Sequence, residues 1–235
     1  MMAFGSDPRA VAARAHLLFV FAGAVALGVG SVVLLIAAGV WLGAGGAGAL
    51  IIRLPALVIH FVAWMLLLAS LKALSLSPNK DDERLMVQML IAWVLSVVAG
   101  FLGIWSLPWV LGGGICSGIV CSLSTVFFLP APYLPFVPSV FAPVVACHAA
   151  FFLLESRRHE PVASGRLRNG AIVLLVIAAV SIAVQAAHWF YGPAYLLAGL
   201  TAIGYLWIAA GLYRPLGTSR DFTESLPAVS HPEGL

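Results

Sequence analysis

Long apolar runs alternate with short polar segments along this chain. Six of these runs are close to the roughly 20 residues that an α-helix needs to cross the hydrocarbon core of a bilayer. The pattern predicts an all-α integral membrane protein, with a polytopic helical bundle over residues 16–213. Its six predicted spans lie at about 17–42, 54–76, 85–104, 139–154, 169–187 and 193–213.

One apolar stretch, at about 106–137, is harder to assign as a span. It contains three consecutive glycines, Gly112 to Gly114, and then the prolines Pro130, Pro132 and Pro135. Non-helical backbone is tolerated at membrane depth only where protein or a water-filled cavity satisfies its hydrogen bonds. We therefore predict an extracytoplasmic or re-entrant segment here. A seventh span is the alternative, because about 20 of these residues could cross the bilayer.

The basic residues decide which side of the membrane each polar segment occupies. Only 9% of the 235 residues are charged and 62% are hydrophobic, whereas soluble domains carry roughly 25% charged residues. Lys and Arg next to span ends favour the cytoplasm. This rule predicts a cytoplasmic location for residues 1–15, 77–84 and 156–168 and for a flexible tail at 214–235. Each pair of these cytoplasmic segments must then be separated by an even number of membrane crossings. We therefore predict six spans, in the cell inner (plasma) membrane.

The acidic residues all fall in predicted loops or tails. The interior of the bundle is therefore expected to lack a carboxylate that could bind sodium, relay protons or hold magnesium. Common motifs for nucleotide binding, zinc proteolysis and serine hydrolysis are also absent. The sequence thus favours a function that is not enzymatic. The nine acids are Asp7, Asp81, Asp82, Glu83, Glu155, Glu160, Asp221, Glu224 and Glu233.

Four histidines lie within or near the predicted spans. Neutral imidazole is a good ligand for haem iron, and both His60 and His188 lie toward the extracytoplasmic side of the six-span arrangement. A haem site held by this pair is one hypothesis. In the other, His16 and His188 anchor span ends at the interface, while His60 and His148 form hydrogen bonds to neighbouring helices.

The order of these features resembles that of the haem-handling proteins of cytochrome c maturation. Those proteins have six spans, one histidine near each of two external loops, and a Trp-rich external segment between spans three and four. Here His60, His188 and the segment opened by Trp105 and Trp109 occupy comparable places. The WSLPW sequence differs from that family's Trp-Trp-Asp motif because it has no acid. The resemblance implies haem as the cofactor and the two tryptophans as walls of its pocket.

Arg53, Trp105 and Trp109 are the predicted substrate contacts. Arg53 lies at the start of the second span, where it could bind an anionic headgroup or substrate.

On the last span Gly204 and Gly211 predict a closely packed seam, within the bundle or with another subunit. No metal site is predicted, because the cysteines lack a zinc-binding spacing and are interpreted as small packing residues.

Two functions remain open from the sequence. The first is a non-enzymatic membrane component, either the permease of a transporter or a membrane subunit of a larger complex. Its partners, besides the lipid bilayer, would dock on the polar segments 77–84 and 156–168. The second is a haem-binding or haem-handling protein that uses His60 and His188. The chain has a net charge of +3. A small positive charge is expected beside anionic lipids and does not indicate nucleic acid binding.

Overall fold

The computed structural model describes residues 8–44, 46–76, 80–111, 142–186 and 193–224. Within these ranges the chain is almost entirely α-helical. Six helices are described: α1 (Pro8–Ala44), α2 (Gly46–Leu74), α3 (Lys80–Leu111), α4 (Ala142–Ser156), α5 (Pro161–Ala186) and α6 (Pro193–Glu224).

Four of the described helices are long and apolar enough to cross a membrane. The candidate spans are Ala10–Ile36, Pro55–Leu74, Glu83–Phe101 and Pro161–Ala183. Helix α4 and the Gly199–Tyr213 part of α6 are apolar but shorter. The helical class predicted from the apolar runs is therefore confirmed, and these helices are compatible with an integral membrane location.

The described helices pack in a closed ring that follows the order of the chain. Each helix contacts the next one, and α6 returns to pack against α1, while the contact between α2 and α3 is the least extensive of the six. The ring encloses a core of large apolar side chains, including Leu27, Leu67, Phe152, Leu174 and Ile208. Neighbouring helices thus bury one another's apolar faces around a common interior.

Several contacts show which helix ends lie together. His16 of α1 contacts both Ser70, near the end of α2, and Glu155, near the end of α4. The rings of Phe21 and Tyr213 lie 6.4 Å apart, which brings the later part of α6 to the same level. We call this level of the bundle the polar end. Helices α3 and α5 also start here, since each follows its predecessor after a short connection.

Helix ends differ from the polar boundaries expected from the sequence. Helix α5 starts at Pro161, so most of the hydrophilic segment 156–168 is helical. Proline suits a first helical position because the amide hydrogen that it lacks has no partner there. Helix α6 continues to Glu224, into the segment predicted as a tail. Hydropathy predicts the apolar part of a helix, whereas backbone hydrogen bonds can continue the helix through polar residues beyond it.

Glycines bring α5 and α6 close together. A Cβ atom on Gly170 would lie 2.6 Å from Cγ1 of Ile208, and one on Gly204 would lie 2.8 Å from Cδ2 of Leu174. Small residues permit this approach of two helix backbones. At Gly211 a Cβ atom would also meet α5. The seam predicted at Gly204 and Gly211 is therefore confirmed as a contact inside the bundle.

The stretch predicted as re-entrant or as a seventh span is described only in part. Helix α3 continues through Trp105 and Trp109 to Leu111. The remainder, from residue 112, lies outside the described residues, as do Cys116 and Cys121.

Candidate binding cavity and a buried carboxylate cluster

The structure pairs His60 with a different histidine from the one predicted. His188 lies outside the described residues, so the His60 and His188 pairing stays a prediction. Arg53, Trp105 and Trp109 lie on helices α2 and α3, but their side chains are not among those described. His60 instead lines a cavity together with His148 of α4.

This cavity has a volume of about 330 Å³ and lies between α1, α2, α3, α4 and α6. Its size falls at the lower end of the roughly 300–1,000 Å³ that is usual for small-molecule sites. The walls are mostly apolar, with a few polar groups, which is also the usual composition of such sites. The lining residues include Ser31, Leu34, Leu57, Phe61, Phe101, Val144, Val145 and Thr201, besides the aromatic residues described next.

His148 is fixed by hydrogen bonds from both sides of its ring. Nε1 of Trp64 donates to Nε2 of His148 at 2.9 Å, and Nδ1 of His148 lies 2.8 Å from the hydroxyl oxygen of Tyr205. An indole N–H can only donate, so Nε2 of His148 carries no hydrogen. The ring is therefore neutral, and its Nδ1–H donates to Tyr205. This buried network joins α2, α4 and α6 at one wall of the cavity.

Trp64 is itself held in place by α3. Nε1 of Trp93 donates to the backbone carbonyl of Trp64 at 2.8 Å. A Cβ atom added to Gly100 would collide with the Trp64 ring, so the absence of a side chain at Gly100 makes room for the indole. Both contacts orient the indole N–H group of Trp64, which donates to His148.

His60 has a different arrangement that leaves one ring nitrogen available. Its Nδ1–H donates to the carbonyl oxygen of Ala56, one turn earlier, at 2.8 Å. This bond places the lone pair of a neutral ring on Nε2. The ring packs against α1, where a Cβ atom on Gly30 would lie 2.6 Å from both Cε1 and Nδ1 of His60. Glycine at position 30 therefore allows the imidazole to lie between the two helices.

The two histidines differ in their capacity to bind a metal. Histidines that bind metals commonly donate their second ring N–H to a carbonyl or carboxylate, as His60 does. His148 does not fit this role, because both of its nitrogens already have protein partners. Among the described residues no group of three or more His, Cys, Asp or Glu side chains is arranged to hold a metal ion.

A second polar site lies at the polar end, and it corrects the prediction that no carboxylate enters the bundle. Glu155 is fully buried. Its Oε2 lies 3.0 Å from Nε2 of His16, its Oε1 accepts from Nε2 of His159 at 2.9 Å, and the Arg158 guanidinium is 3.7 Å away. Nδ1 of His16 donates to the carbonyl oxygen of Ser70 at 2.9 Å. We call these five residues the carboxylate cluster.

One hypothesis from the sequence places His16 at the membrane interface as an anchor, but the structure buries this residue fully among the helices. The hydrophilic sequence ESRRH, which begins with Glu155, predicts a loop position for this residue. The long-range contact between α1 and α4 buries both residues, and no local pattern reports such a contact. One signal was present: Glu155 follows His148 by seven residues, so the two lie on the same face of a helix.

A scan against protein-family models and searches of curated proteins and of solved structures find no match to this chain. The function must therefore be argued from the cavity and the carboxylate cluster themselves.

Proposed function

We propose that this chain is a non-enzymatic membrane protein that crosses the bilayer six times and binds a small molecule in the cavity of its helix bundle. Such a role fits the permease of a transporter or a ligand-binding membrane subunit of a larger complex. The observation that carries the proposal is the 330 Å³ cavity with polar groups at one wall.

The lining of the cavity suggests the chemistry of the ligand. The walls are largely apolar, and the groups that can form hydrogen bonds are concentrated in His60, Ser31 and Thr201 and at the His148 network. Apolar area gives affinity, and a small number of placed polar groups gives orientation. We infer an apolar ligand, a ring or short chain, that carries one hydrogen-bonding group.

The arrangement of helix ends supports six spans. Helix α3 starts at the polar end and α4 ends there, so these two helices run in opposite directions. An odd number of crossings between residues 84 and 155 would separate Glu155 from His16 and Ser70. The basic residues Arg14, Arg157 and Arg158 lie at or near the polar end, which favours a cytoplasmic side for it.

Topology has its own test. Single cysteines replacing Glu160 and Leu76, which are both exposed and lie outside the candidate spans, should react with an impermeant thiol reagent from the cytoplasmic side of membrane vesicles. The background would carry Ser in place of the three native cysteines. Reaction of the two positions from opposite sides would contradict six spans.

The cavity is tested by filling it. Val145 is buried and lines the cavity, so Val145→Phe places a ring in that space. Val176, on the outer face of α5, is 55% exposed, and Val176→Phe is the matched control. Mass spectrometry of small molecules that copurify with each protein should show a compound lost from Val145→Phe and kept by Val176→Phe. Identical profiles would count against a cavity ligand.

Haem binding is a second candidate, and one observation favours it. His60 donates from Nδ1 to a backbone carbonyl, the arrangement typical of a ligating histidine. His60 is the residue of this cavity that would hold haem iron, because both ring nitrogens of His148 already have protein partners. A reduced-minus-oxidised absorption spectrum tests this candidate, because a Soret band that weakens in His60→Ala would support it. A flat spectrum from protein made with ample haem would exclude it.

A further inference from the structure

The carboxylate cluster requires one proton that ordinary neutral groups would not supply. Nδ1 of His16 faces the carbonyl oxygen of Ser70, which only accepts, so Nδ1 carries a hydrogen. In a neutral ring Nε2 would then be a bare lone pair, yet it lies 3.0 Å from a carboxyl oxygen of Glu155. A proton must lie between these atoms. The pair is either imidazolium with carboxylate or imidazole with carboxylic acid.

We propose that His16 and Glu155 form a proton-binding site whose occupancy controls the His60 and His148 cavity through α4. The proton site itself is independent of what the cavity binds. Only its control of ligand binding rests on the proposed function.

Complete burial of His16 and Glu155 makes the proton essential to their contact. When the proton leaves Nε2 of His16 for water, that nitrogen keeps a lone pair that faces the carboxylate. The pair then has a net negative charge, and no hydrogen bond joins His16 to Glu155. In a buried site both changes are costly, so loss of the proton weakens the contact between α1 and α4.

The neighbouring charges favour the protonated pair with an ionised Glu155. Among the described residues, the titratable or charged groups that face this carboxyl group are His16 from α1 and Arg158 and His159 from the turn after α4. Helix α2 contributes the carbonyl of Ser70 to His16. Hydrogen bonds and positive charges of this kind stabilise a carboxylate.

His159 provides a route for the proton to reach the surface. Its ring donates from Nε2 to Oε1 of Glu155 at 2.9 Å, and it is less completely buried than Glu155. A proton that binds the other ring nitrogen of His159 from water allows the Nε2 hydrogen to pass to Oε1 of Glu155. Rotation of the protonated carboxyl group then exchanges its two oxygens and brings the proton to Nε2 of His16. The reverse sequence returns it to water.

Helix α4 connects the proton site to the cavity. His148 and Glu155 are two turns apart on the same face, about 10 Å along the helix axis. His148 holds Trp64 and Tyr205, and all three line the cavity. A shift of α4 on loss of the α1 contact therefore changes the wall of the cavity.

Nuclear magnetic resonance of the full chain in lipid nanodiscs tests both parts, with histidine ring nitrogens and glutamate carboxyl carbons labelled. Near neutral pH we expect two protonated ring nitrogens on His16, or a protonated Glu155 carboxyl group. Raising the pH should remove that proton, and the ring signals of His148 should shift over the same pH interval.

Glu155→Gln is the informative variant because it keeps the hydrogen bond without the proton. The amide N–H of the introduced glutamine can donate to Nε2 of His16, so the His16 ring should carry its single hydrogen on Nδ1 throughout the titration. The linked shift of the His148 signals should then be lost. Glu160→Gln, an exposed acid close by, should behave as the wild type.

Two results would overturn the proposal. One is a singly protonated His16 beside an ionised Glu155 in the wild type near neutral pH, and the other is a His148 signal that does not follow the loss of the proton at higher pH. No ligand is added in this experiment, so failure of the cavity proposal would leave its outcome unchanged.

Discussion

The two polar sites of the bundle share one face of α4 but solve the problem of burial in different ways. Around Glu155, donors from His16 and His159 and the charge of Arg158 converge on one carboxyl group. Around His148 both ring nitrogens are bonded in a neutral ring, and the neighbouring space is a mostly apolar cavity. A buried charge needs partners on every side, whereas a satisfied neutral group tolerates empty apolar volume. For this reason we propose the second site for the ligand and the first for the proton.

The largest expected effect comes from removing the carboxyl group of the carboxylate cluster. Glu155→Ala removes the anionic partner of His16, which is fully buried. Breaking a buried ion pair in this way costs about 3–5 kcal/mol. The free energy of unfolding in mixed detergent micelles measures the loss. Glu160→Ala, at an exposed position, should change this free energy by less than about 0.5 kcal/mol, and equal values for the two variants would refute the cluster's structural role.

A smaller effect is expected at the His148 network, where no charge is left unpaired. Trp64→Phe removes the N–H group that donates to Nε2 of His148. This buried nitrogen is then left without a donor, which costs about 1–3 kcal/mol. Trp207→Phe is the control, because Trp207 is 53% exposed. The same unfolding assay compares them. If Trp64→Phe were as stable as Trp207→Phe, the hydrogen bond to His148 would have no energetic importance.

The smallest effect distinguishes the cavity wall from an open helix surface. Gly30→Ala forces the His60 ring to move, since the new Cβ would lie 2.6 Å from it. Overpacking costs about 1–3 kcal/mol, and Ala regains about 1 kcal/mol as a better helix former, so we expect a net loss of about 1 kcal/mol. Gly165 has nothing within 4 Å of an added Cβ. Gly165→Ala should instead gain up to about 1 kcal/mol, and shifts of the same sign would contradict the close packing at Gly30.

The helical class could be predicted from the sequence because it depends on local sums of hydropathy. The apolar runs indicate the spans within α1, α2, α3 and α5 directly. The seam at Gly204 and Gly211 could also be predicted from the sequence, since small residues seven apart lie on one helix face.

The candidate sites could not be predicted in the same way. A six-span order shows which helix ends share a side of the membrane, but not how each helix is rotated. The pairing of His60 with His148 depends on that rotation and on the closure of the ring through α6. The burial of Glu155 depends on a contact with His16, which is 139 positions away in the chain. A charged residue at the end of an apolar run looks like a loop until that contact is known.

The measurement that tests the cavity most directly is a titration with a probe of the inferred chemistry. 1-Naphthol has an apolar ring system and one hydroxyl group. Added to the nitrogen-labelled protein in nanodiscs, it should shift the indole N–H signal of Trp64 and the ring signals of His148 in a saturable way. Val176→Phe should give the same titration, and Val145→Phe should give none. Trp64 and His148 signals that stay unchanged at saturating probe, or that shift equally in Val145→Phe, would contradict a binding site in this cavity.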